Sequence, residues 1–191
     1  MNNKGVTFTE LLWVSAILVI VMAALVVSLV GLQSIFQAIK ETAMIETGVR
    51  VAGRMIAWEL KETSRGRITI TQNTPLAGTD EIEYYLPVMV DTNTDGKPDT
   101  PSVVGGSIQW DATPVTIALE PGDMGRLLRT EGAAQIVLAN NVRRIKFLSN
   151  DLDPDLFPDE LKIILELEKT GFTGRTYNTV ATFFVDMRNS E

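Results

Sequence analysis

Cysteine and histidine are both missing from the 191 residues. The two absences together remove disulfides, thiol nucleophiles, the usual zinc ligand sets and every Ser-His or Cys-His dyad. Acidic pairs remain, but no nucleophile, glycine-rich phosphate cradle or metal triad accompanies them, so no enzymatic activity is expected. Missing cysteine does not fix the compartment, because an exported chain large enough to build a core does not require a disulfide. Positive charge is scarce too: 17 Lys+Arg stand against 24 Asp+Glu, for a net charge of −7. Without clustered cations to displace counterions, nucleic acid is not an expected partner, and pairs such as Arg143-Arg144 are too isolated to change that. Apolar residues are plentiful at 45%, which excludes wholesale disorder in a chain about one domain long.

The apolar residues are not spread evenly. From Leu11 to Leu32 there is no charge in 22 residues, and only Ser15, Ser28 and Gly31 dilute the run. As a helix at about 1.5 Å per residue it reaches roughly 33 Å, close to the thickness of a bilayer's hydrocarbon core. No other window approaches this length, so a single transmembrane pass is expected. A cleavable secretory signal has a shorter apolar core, of about 7–15 residues. A plain signal anchor remains as an alternative. Glu10 stands directly at the head of the run, where a carboxylate in lipid asks for a cation. Lys4 lies outside the run. If the bond after Gly5 were cut, Val6 would present an α-amine one helical turn from Glu10, on its own chain or on a packed neighbour.

The stretch Gly5-Val6-Thr7-Phe8-Thr9-Glu10-Leu11-Leu12, followed by the apolar run, resembles the cleavage and methylation signature of type IV pilins and type II secretion pseudopilins. The resemblance implies removal of residues 1–5 as a leader by an inner-membrane prepilin peptidase, with Val6 as the N-methylated mature N-terminus. Val6 stands where phenylalanine is commoner in that family. Phe8 and Glu10 carry over as assembly residues, Glu10 neutralising the amine of an adjacent subunit. Losing Lys4 would take the net charge from −7 to −8. An unpaired Glu10 in lipid would penalise misaligned packing, so Glu10 is expected to set register between subunits. The resemblance further implies other major and minor pilins as partners through the N-terminal helix, contact with inner-membrane lipid, and a periplasmic head that later enters a pseudopilus or pilus. The layout is most similar to minor subunits, the J-type minor pseudopilin or the W-type minor pilin, of an initiating or tip complex.

The expected fold class is α+β: a long helix over residues 6–65, its transmembrane part 11–32, and a mostly antiparallel β-rich head over 66–191. Ile45, Val49, Ala52, Ile56 and Leu60 recur at steps of three and four, which makes the second half of the helix amphipathic. Gly66 reads as a helix stop. Beyond it the period becomes two, with candidate strands at 67–71, 82–90, 107–110, 116–119, 125–130, 135–139, 142–148, 161–168 and 177–187. The sheet is expected to cover the helix stripe.

Asp91, Asn93, Asp95 and Asp99, with Gly96 at position six and the Lys97 carbonyl at position seven, reproduce the first part of an EF-hand-type loop. A structural calcium is expected there, although Ser102 replaces the usual twelfth-position acid; Glu81 or Glu83 are candidates for a further carboxylate. The bland alternative is an acidic turn between strands. The second acidic cluster, 151–160, reads as a solvated loop. Trp13 is placed at a membrane edge. Trp110 is expected in the core, and Trp58 either there or in a subunit contact. The competing reading of the whole is a signal-anchored periplasmic binding or enzymatic domain.

Overall fold

The computed structural model describes residues 7–74, 76–121, 125–171 and 174–187. Helix α1 (Phe8–Lys61) runs through two compact units, Met1–Ala43 and Met44–Glu191. In the first unit every described residue up to Gln37 is exposed, including Leu, Ile, Val and Phe on all sides of the helix. Its few hydroxyls fold back on the backbone: Ser15 donates to the Leu12 carbonyl at 2.9 Å, Ser28 to Ala24 at 2.9 Å and Ser34 to Gly31 at 2.7 Å. A helix that satisfies its own polar groups and is apolar all round suits a lipid environment. Length and composition allow it to serve as a single-pass membrane anchor.

In the second unit α1 contributes Ile45, Val49, Ala52, Gly53, Ile56 and Leu60 to a core shared with the strands. This is the stripe that periodicity marks out. The helix stops at Lys61, short of the expected 65. Glu62 and Thr63 close the last turn on Glu59 and Leu60, and the Thr63 hydroxyl donates to the Tyr85 carbonyl at 2.8 Å. Thr63 and Ser64 are fully buried there, so the chain is tied to the sheet before Gly66 is reached, and Arg65–Arg67 form a short 3-10 turn.

The strands are β1 (Ile68–Gln72), β2 (Asp80–Tyr84), β3 (Met89–Val90), β4 (Thr100–Pro101), β5 (Val103–Val104), β6 (Ser107–Ile108), β7 (Val115–Leu119), β8 (Leu127–Glu131), β9 (Ala134–Ala139), β10 (Val142–Ser149), β11 (Glu160–Thr170) and β12 (Thr176–Asp186). Five of them form an antiparallel sheet in the order β1-β2-β7-β8-β9, and three form another, β10-β11-β12. Two-residue alternation is clean in β2 and β7, where every second side chain is buried. In β11, Leu161, Ile163, Leu165 and Leu167 enter the core; in β12, Val185 faces the same way.

Three departures from the sequence reading have local causes. The expected strand 82–90 is interrupted after Tyr84, because residues 85–88 turn to pair with 109–111 and Arg67 instead of continuing the sheet. The very short β4 and β5 carry too few residues for a period to register. Trp110 is half-exposed rather than buried: its ring lies under the Arg67 guanidinium, 5.8 Å from the centroid, as a cation–π pair.

Candidate functional site

Gly5 and Val6 lie outside the described residues, as does Lys4. The site can be built from Thr7 onward. Thr7 donates its backbone N–H to Glu10 Oε2 at 2.8 Å and its hydroxyl to the same oxygen at 3.0 Å, and the Glu10 N–H points back to Thr7 Oγ1 at 3.4 Å. This is a reciprocal capping box that satisfies donors at the start of α1. Glu10 therefore holds two hydrogen bonds from its own chain, directly ahead of an apolar helix that would otherwise leave a carboxylate in lipid. Phe8, the first helical residue, is 80% exposed. Thr7 was missed by the sequence reading although its signal was present: Thr7-x-x-Glu10 before an apolar run is the capping-box pattern.

The 91–99 loop is the tip of the β3–β4 hairpin, in which Val90 pairs with Thr100. Its side chains bond inward. Asp91 accepts the N–H groups of Thr94 and Gly96, each at 2.7 Å; Asn93 accepts Asp95 N–H at 3.1 Å; Asp95 accepts Lys97 N–H at 2.8 Å. Gly96 has φ +83, the conformation that glycine is needed for at the sixth position. Asp99 accepts the hydroxyls of Thr100 at 2.7 Å and Thr92 at 2.8 Å and the Thr92 N–H at 3.1 Å. The Thr100 hydroxyl first, then the Thr92 N–H and hydroxyl, hold the Asp99 carboxyl below its ordinary range. Four oxygen-bearing side chains thus occupy one turn, each already used by a loop donor. Among the described residues no group of three acidic side chains converges as a metal cluster; Glu81 and Glu83 sit on β2 in the five-stranded sheet, while the loop belongs to the separate β3–β4 pair.

In the 151–160 loop, Asp151 and Asp153 have cationic partners. Asp151 pairs with Arg65, and Asp153 with Lys162 at 2.9 Å. Trp58 is 69% exposed on α1, outside the core. Sequence reasoning also missed a half-buried polar net. Glu59 of α1 accepts Tyr84 O–H and both contacts of Arg129 Nε at 2.9 Å, while Arg129 also reaches Glu131 at 2.8 Å. No spacing rule separates Glu59 from the solvent-facing charges on the same helix.

Comparisons of the chain with known protein families, with characterised proteins and with solved structures find no match.

Proposed function

We propose that the chain is a non-catalytic minor subunit of a type IV pilus or type II secretion pseudopilus, processed after Gly5 and assembled through its N-terminal helix. The observation that carries this reading is Glu10, a lone carboxylate at the head of an uncovered apolar helix that leads into an antiparallel β head. That element order is the general layout of pilin-like proteins. In the proposed cycle the subunit waits in the inner membrane with its head in the periplasm, and the Val6 amine of a neighbour replaces Thr7 as the partner of Glu10 on assembly. Mass spectrometry of the protein from its host tests this: the expected N-terminus is methylated Val6, and a functional chain that still begins at Met1 would overturn it. Glu10→Ala should leave insertion intact and impair incorporation into filaments.

The capping box favours a second reading, because a capped helix start serves an ordinary signal anchor of a periplasmic binding or enzymatic domain equally well. The same measurement separates the two.

A structural calcium at Asp91, Asn93, Asp95, the Lys97 carbonyl and Asp99 belongs to the proposal as well. Its support is the one-three-five spacing and the Gly96 turn; the ion would have to draw side chains away from loop amides and recruit water or a further carboxylate. Melting the full chain in detergent with calcium or with chelator decides it, and identical transitions would remove the ion from the proposal.

A further inference from the structure

Between β2 and β7, which are neighbours in the five-stranded sheet, the chain departs for residues 85–114 and then returns. Within that excursion only Pro87 is buried. It adds almost nothing to the core, yet it is an ordered, hydrogen-bonded piece. Val88 N–H donates to the Gln109 carbonyl at 2.8 Å, Ser102 N–H to Val88 at 2.7 Å, and Gln109 N–H to Ser102 at 2.8 Å. Two hairpins leave from this root: β3–β4 with the 91–99 loop, and β5–β6 closed by Gly105 and Gly106, both at positive φ. The excursion holds its apolar side chains in water. Val103 and Val104 are 59% and 60% exposed, and Val88, Met89 and Val90 are exposed beside Asp91, Asp95 and Asp99. A structured, apolar, acid-rimmed element that the core does not need reads as an interaction surface.

A complementary surface exists on the same chain. Arg50, Val51, Arg54, Met55 and Trp58 lie on the side of α1 opposite the buried stripe and are exposed. Arg50 pairs with Glu46 at 3.9 Å and Arg54 adds a second cation, so this face is apolar with cationic neighbours. Each patch placed against itself would oppose like charges, whereas each placed against the other joins apolar surface and opposite charge. A contact between two different patches is heterologous, so each copy keeps one of its two patches free for another subunit of the filament. We propose that the 85–114 excursion of one copy docks on the Arg50–Trp58 face of α1 in a second copy. This deepens the filament-subunit reading and rests on it.

The absence of native cysteine makes the test clean. Full-length Met55→Cys and Val104→Cys chains, produced in the host, purified in detergent, mixed and oxidised, should form the mixed disulfide several-fold above either homodisulfide. The statistical 1:2:1 distribution with the mixed species at twice each homodisulfide, any smaller mixed share, or no disulfide would overturn the docking. Adding Arg54→Glu to the Met55→Cys chain should lower the mixed yield roughly fivefold, the size expected of an exposed charge pair, and Asp95→Arg in the other chain should restore it. Failure of that restoration counts against the charge pairing. Arg54 is exposed, so an unchanged melting curve of that variant serves as the folding control, and the Asp95→Arg chain, which alters the proposed calcium loop, is compared with its parent in chelator. The N-terminus of the same preparations distinguishes the two failures. A processed, filament-incorporated chain without the mixed disulfide sinks the docking alone; an unprocessed, unincorporated one sinks the subunit reading and the docking with it.

Discussion

Tyr84 is fully buried and gives its only polar atom to Glu59, which Arg129 also holds from β8. Burial first, and the neighbouring Glu59 charge second, push the phenol well above its ordinary value of 10. The sign follows from linkage. Folded Tyr84 keeps its proton where the unfolded chain begins to lose it, so its contribution is complete below pH 10 and declines as pH rises beyond that. Denaturant melts of the full chain should therefore show stability falling above about pH 10, and Tyr84→Phe should flatten that fall. An unchanged alkaline slope in the variant would mean that another group is responsible. At neutral pH the same variant should cost about 1.5–2 kcal/mol, the scale of a hydrogen bond to a charged acceptor. Removing Glu59 as Ala should cost more, about 3 kcal/mol, because Arg129 then keeps only Glu131 in a half-dry site.

Helix α1 and strand β12 meet where a side chain has been omitted. A Cβ on Gly53 would fall 2.1 Å from Phe183 Cε2, far inside contact distance. On propensity alone Gly53→Ala should stabilise a helix interior by about 1 kcal/mol. Here the opposite is expected: a net loss of about 1–3 kcal/mol from overpacking, relieved when Phe183→Leu is combined with it. Urea melts of the single and double variants check this, and a more stable single variant would refute it. The stripe Ile45, Val49, Ala52, Ile56 and Leu60 was legible in advance because a 3.6-residue period is a property of the chain. Phe183 as the partner of Gly53 was not, since 130 residues separate them and no local pattern encodes which side chain meets which gap.

Across the whole molecule, Asp80 links the two sheets. It is fully buried at the start of β2; Oδ1 accepts the Asn73 N–H at 3.1 Å and approaches Lys146 Nζ at 3.5 Å, while Oδ2 accepts the Phe147 N–H of β10 at 3.1 Å. Asp80→Ala would strand the buried Phe147 N–H of β10 and remove the carboxylate that faces Lys146, and a loss of about 3 kcal/mol is expected, read as an earlier cooperative transition in denaturant. Loss of cooperativity without a shift would contradict a linking role. The first unit is long and apolar enough to serve as a single-pass anchor. Val21→Arg places a cation near the middle of the apolar run at a cost of about 2.5–3.5 kcal/mol, so more of the chain should become extractable by alkaline carbonate. Extraction identical to the parent would argue that this segment does not span.

The order of residues alone determined the α+β class, the uncharged run, the amphipathic continuation of the helix and most strands, because hydrophobic periodicity is local and each period belongs to one kind of element. It also placed Glu10 at the head of the apolar run. Tertiary structure alone decided that α1 stops at Lys61, that Trp110 rests against Arg67 instead of entering the core, and that the Glu59 and Asp80 side chains are bonded within the head rather than left to water. Those outcomes depend on which distant groups are brought within hydrogen-bonding range. A charge-bearing letter reads the same in a sequence whether water or an arginine from a distant strand will face it.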